Sequence, residues 1–218
     1  MTRYGKLATG LIGAWFLIVL AASAFHMLQN DTGRVGLPVA LAALVPILLF
    51  LLGFAASSGF RQFAVSLNPR TLTHLQSWRI FGFIFIVLEA YGILPALFAL
   101  PAGYGDMAIG ATASLVALKL ATPRHRTAFT IWQAAGIADL VMAVGLGTTA
   151  PWLDPSGTSM AAMTMLPLSL VPTFFVPLLL VFHVICIAQA RAWKRASEDG
   201  RDTERRFGGL LGGTNSIR

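Results

Sequence analysis

The chain has 218 residues, of which 56% are hydrophobic and only 11% charged, with a mean hydropathy of +0.72. A soluble domain of that length would need more surface charge, so an integral membrane protein is expected. The net charge of +7 does not point to nucleic acid, because the basic residues sit in short segments between apolar runs and in the tail, not along one stripe.

The single cysteine, Cys186, excludes an intrachain disulfide and any multi-cysteine metal centre. The first apolar run, 8–28, follows Arg3 and Lys6. It reaches the roughly 20 residues needed to cross ~30 Å of hydrocarbon, and without a convincing cleavage site it reads as a retained helix. A short loop with Asp31 and Arg34 leads to the second run, 37–57, which holds Pro38 in its first turn and Pro46 inside.

Between Gly59 and Gln76, residues Phe60, Phe63, Ala64 and Leu67 recur at near-helical spacing. They suit either a turn or two at a membrane interface or an ordinary loop. The third and fourth runs, 77–98 and 101–121, are joined by almost nothing and are predicted to be antiparallel neighbours. The fifth run, 129–149, follows a basic stretch. The sixth, 166–190, has Pro172 and Pro177 in its outer half, where an irregular backbone is expected.

The predicted fold is therefore all-α: a polytopic bundle of six transmembrane helices over 1–190, then a charged tail over 191–218, helical at first and disordered later. Lys and Arg number two before the first run, two after the second, three from Lys119 to Arg126 and six from Arg191 to Arg206. The alternate connections offer only Arg34, offset by Asp31. This asymmetry predicts cytoplasmic N- and C-termini. Leu37-Pro38, Leu100-Pro101 and Leu166-Pro167 each open a run and hint at three repeated hairpins.

Five side chains stand out as candidates for a ligand site or proton path: Arg79, Glu89, Asp106, Asp139 and His183. On straight α-helices Glu89 and Asp139 fall near mid-membrane. His183 and Arg79 fall roughly 8 and 13 Å to the cytoplasmic side, and Asp106 roughly 8 Å to the outer side. Glu89 shares a helical stripe with Trp78, Gly82, Phe85, Gly92 and Ala96; Asp139 shares one with Trp132, Gly136 and Ala143; Asp106 shares one with Gly110, Ala113 and Ala117. Small residues mark close helix approach, so these acids are expected to face the interior.

Blander roles are available: Arg79 can snorkel to the headgroups beside Trp78, and Asp106 can cap the fourth helix for roughly 1 kcal/mol. Arg79 and Glu89 are roughly 15 Å apart along one helix and cannot pair. The expectation is that His183 approaches Glu89 or Asp139 directly or through water, with one of the two carboxyls holding a proton.

Trp78-Arg79 with Gly82, Pro101-Ala102-Gly103, Gly105-Asp106, Asp139-Leu140, and Pro177 ahead of His183 together resemble a group of small uncharacterised bacterial polytopic membrane proteins. The resemblance implies a bacterial cytoplasmic (inner) membrane setting and no particular activity.

No zinc-protease, nucleophile-elbow, P-loop or dinucleotide motif is present, so no catalytic residue, metal or cofactor is predicted. His26 and His183 lie at different depths, which disfavours bis-histidine haem. The leading functional expectation is translocation of a proton or small solute. The alternatives are a non-transporting assembly or regulatory subunit, and a lipid-acting membrane enzyme with Asp139 and His183 as acid and base. The expected partners are the lipid bilayer and either a second copy or another membrane subunit.

Overall fold

The structure is a computed structural model that describes residues 3–29, 35–155 and 157–212, the side chains of 195–212 aside. The described residues are all-helical, without a strand. The expected Asp31–Arg34 charge pair lies outside them.

Helix α1, Arg3–Ala24, is followed by α2, Leu37–Ala56, which runs on through Pro46. Ser57 ends α2 and starts α3, Ser58–Ser66, its Oγ accepting the Phe60 amide at 3.2 Å. The segment that sequence left open between loop and helix is thus helical. Asn68 opens α4, Pro69–His74, by accepting the Arg70 amide at 2.9 Å, with Pro69 in the first turn where its missing N–H costs nothing. The chain then tightens into a 3-10 helix, Leu75–Gly82, and relaxes into α5, Phe83–Ala90.

Two boundaries differ from the sequence reading, and both move functional candidates. The third run ends at Ala90, not Phe98, because Gly92 takes φ +67° and the amide of Ile93 returns to the Leu88 carbonyl at 2.8 Å. The reversal therefore lies at 91–95, and α6, Ala96–Lys119, starts before Pro101 and carries it inside the helix. Leu100-Pro101 opens nothing, and Leu166-Pro167 lies in a turn ahead of the last helix, so the threefold hairpin pattern does not carry through.

Helix α7, Arg126–Leu153, follows a short 3-10 turn at 123–125. After a 3-10 turn, Ala161–Thr164, and a π-helical stretch, Val171–Phe175, α8 runs from Val176 to Gly212. The first part of the tail is thus helical, and residues 213–218, at its end, lie outside the described residues.

Among the described residues, five helical stretches are long and apolar enough to cross a membrane: Arg3–Ala24, Leu37–Ala56, Pro69–Ala90, Pro123–Leu153 and Val171–Lys194. The count of six came from including α6, which is less apolar because it holds Tyr104, Asp106 and several glycines. Its position explains that composition: α6 packs against the 3-10 segment, α4, α5 and α7, so its neighbours are helices. It buries a row of small residues, including Ala99, Ala102, Gly103, Gly110, Ala113 and Ala117.

Two apolar layers close the bundle. One joins Leu72, Val116, Phe129 and Ile185; the other joins Phe85, Phe98, Ala150 and Met163. Arg79, Asp106 and Asp139 each fall between the two layers along their own helix.

Gly110 sets the closest approach of α6 to the 3-10 segment. A Cβ there would meet the Ile80 amide, the Arg79 carbonyl carbon at 2.7 Å and the Ile80 Cα at 2.9 Å. These are backbone atoms and cannot swing aside. Gly110→Ala is expected to lower stability by about 1–3 kcal/mol. Gly13→Ala, whose Cβ meets nothing within 4 Å, should be neutral or gain up to about 1 kcal/mol. Unfolding titrations in detergent micelles measure both, and equal effects would refute this packing account.

Candidate functional site

The site begins with a change of helical period. From Thr73 to Phe85 the buried residues are Thr73, Gln76, Arg79, Gly82 and Phe85, each three positions after the last. A 3-10 helix has three residues per turn, so this spacing forms one line. The α-helical stripe predicted from sequence puts Trp78 inside with Glu89. Trp78 is instead 63% exposed, and Arg79 is buried at 4%.

Arg79 therefore does not snorkel. Its Nε donates to Asp106 Oδ1 at 2.7 Å, its Nη2 pairs with Asp139 Oδ2, and its Nη1 donates to the Gly136 carbonyl at 3.2 Å. Nη1 also lies 3.2 Å from His183 Nε2. A planar guanidinium with five donors can serve these four acceptors at once.

Asp106 is not a cap either. With the reversal at 91–95 it sits mid-way along α6 and meets Arg79 across the helix interface. Asp139 is the corresponding residue of α7, and its Oδ1 is buried without a hydrogen-bond partner among the described residues.

His183 has its proton positions fixed by its neighbours. Nε2 faces an arginine N–H and must accept, so Nδ1 carries the hydrogen and donates to Gln133 Oε1. Gln133 Nε2 then donates to Thr73 Oγ1 at 3.1 Å, and Thr73 lies 3.8 Å from Cys186 Sγ. Trp132 covers the imidazole at 5.7 Å between ring centroids. His183 contacts Arg79 directly, and Arg79 supplies the cation that sequence sought in the histidine.

Glycines make these distances reachable. A Cβ at Gly105 would overlap the Asp139 carboxylate, one at Gly136 would overlap the His183 ring, and one at Gly82 would crowd Asp106. Four of the five candidates, Arg79, Asp106, Asp139 and His183, come together in this way. Glu89 does not: it is half-buried in the last turn of α5, without a hydrogen bond or ion pair among the described residues. Its midplane depth followed from a helix extended to Phe98.

Sequence reasoning missed Gln133, Thr73 and Gln76, all fully buried. A glutamine three positions before Gly136 and six before Asp139, inside an apolar run, was the available signal. No group of three or more metal-ligating His, Cys, Asp or Glu side chains occurs among the described residues.

Removing Arg79 leaves two buried carboxylates without their cation, so Arg79→Gln should cost about 3–5 kcal/mol. Arg79→Lys should recover little of this, since one ammonium cannot span both acids and the Gly136 carbonyl. In a double-mutant cycle with Asp139→Asn the two losses should be non-additive by at least about 1 kcal/mol. Unfolding in detergent reads this, and additive losses would refute the pairing.

No curated protein and no solved structure matches the chain. A family described as a domain of unknown function (DUF8737) matches residues 34–191, a stretch that contains the whole cluster, and the chain belongs to that family.

Proposed function

We propose that the chain is a six-span inner-membrane protein of bacterial type, with both termini in the cytoplasm, that moves a proton or exchanges it for a small solute through the Arg79 cluster. One observation carries this reading: a single guanidinium serves two carboxylates in the middle of the bundle. With both acids ionised, one negative charge is left over where charge is costly, and a mobile cation is the simplest complement. The hydrogen-bonded line from Arg79 through His183 and Gln133 to Thr73 gives that charge an extension along the bundle.

Counting α6 as a span supports the orientation. The reversal at 91–95 then shares a side with Asp154, while Arg61, Arg70, Lys119, Arg124 and Arg126 share the other. Glu89 falls at the outer end and takes no part in the path.

Reconstituted vesicles with a trapped pH dye test the reading. Asp106→Asn and Asp139→Asn should reduce flux at least about tenfold, equivalent to about 1.4 kcal/mol, whereas Glu89→Gln should leave it unchanged. Wild-type flux in an intact Asp139→Asn protein would remove the proposal. For orientation, a reporter fused after Arg206 should read cytoplasmic and one inserted between Pro155 and Gly157 should read outside.

The glycine contacts around the cluster favour one alternative, a non-transporting assembly subunit whose charges fix helix pairing. In that case the same neutral variants would weaken stability or complex formation while wild-type vesicles show no flux.

A further inference from the structure

A cavity of about 250 Å³ lies beside the cluster, between the 3-10 segment with α5 on one side and the irregular stretch before α8 on the other. The 3-10 and π-helical segments both depart from α-helical spacing here, so their side chains do not interlock as two regular helices would. Its walls are apolar, with Trp78, Phe81, Phe85 and Phe175 contributing aromatic rings, and its polar floor is Arg79 and Asp106. Trp78 and Phe81 are more than half exposed, so the mouth opens on an apolar flank of the bundle.

The two floor residues are not equally available. The Nε, Nη1 and Nη2 of Arg79 are each already engaged, and its side chain is 2% exposed. It has little left to offer an anionic headgroup. Asp106 is 15% exposed, and its Oδ2 accepts no hydrogen bond among the described residues. Asp106 is therefore the acidic residue of the floor, backed by a cluster with more carboxylates than cations. Aromatic faces around such a floor attract a cation further.

We propose that this cavity binds a lipophilic cation, an amine or quaternary ammonium on an apolar body, with its charged head at Asp106 and its body among the rings. Under the transport reading above, on which this assignment of a role rests, that cation is the solute exchanged for the proton. Binding itself requires no transport. It can therefore be measured apart.

Equilibrium dialysis of the full-length protein in neutral detergent, with benzyltrimethylammonium and benzenesulfonate as matched probes, tests the inference. The cation should bind saturably, one per chain, and at least about tenfold more tightly than the anion. Asp106→Asn should weaken cation binding about tenfold or more. Leu168→Trp fills the cavity from the opposite wall and replaces none of the ion-paired residues, and it should abolish binding while thermal unfolding stays near wild type; it carries the test if Asp106→Asn does not fold.

Equal or tighter binding of the anion overturns the proposal, as does cation binding that survives Leu168→Trp. Saturable binding in a protein without vesicle flux would sink the transport reading and leave the cation site standing. Proton flux without cation binding would do the reverse.

Discussion

One guanidinium holds the middle of this molecule together. Arg79 donates to carboxylates on two other helices and to a backbone carbonyl, so it joins the 3-10 segment, α6 and α7 at a single point. Taking an arginine and two aspartates out of water costs several kcal/mol per ion, and their attraction repays this only with near-complete hydrogen bonding. Here Arg79 has that bonding and Asp139 lacks part of it, since its Oδ1 has no partner among the described residues. That oxygen packs against Gly105, where only a residue without a Cβ leaves it room.

The apolar layers make that charge matter. Leu72, Val116, Phe129 and Ile185 close one side of the cluster, and Phe85, Phe98, Ala150 and Met163 close the other. Between them the local dielectric is low, so each ion-pair contact is stronger than it would be at a surface and each unpaired oxygen costs more. Glycine sets the spacing. Gly105 and Gly136 let the Asp139 carboxylate and the His183 ring approach neighbouring backbones that any Cβ would hold away. Asp106 lines the cavity and Asp139 does not, so the two carboxylates that share Arg79 are unlike in their access to it.

Much of this was legible in the sequence and some was not. Apolar runs announced the helices, and isolated charges inside them announced Arg79, Asp106, Asp139 and His183, because both signals depend only on local composition. Position along the helix was misread where a boundary was misread: ending the third run at Phe98 put Glu89 mid-way along it and Asp106 near an end of the next, whereas the turn at Gly92 reverses both placements. Leu100-Pro101 invited that error, since a proline suits the first turn of a helix and here lies within one. Gln133 was overlooked because it carries no charge, although the same cost of burial applies to its amide.

The deepest misreading concerned period, and it shows what the 3-10 segment accomplishes. In an α-helix, residues six apart point about 120° away from each other, whereas in a 3-10 helix they point the same way. Thr73 must reach Gln133, Gln76 must reach the Leu179 carbonyl, and Arg79 must reach two aspartates, all toward the interior. Only a period of three aligns them. The same winding turns Trp78 and Phe81 outward to the mouth of the cavity. Relaxing Leu75–Gly82 to an α-helix would swing Arg79 away from the line set by Thr73 and turn Trp78 inward. The ion-pair geometry and the cavity rim are therefore governed by one backbone variable, and the close contact of Gly110 with the backbone at Arg79 and Ile80 holds it in place.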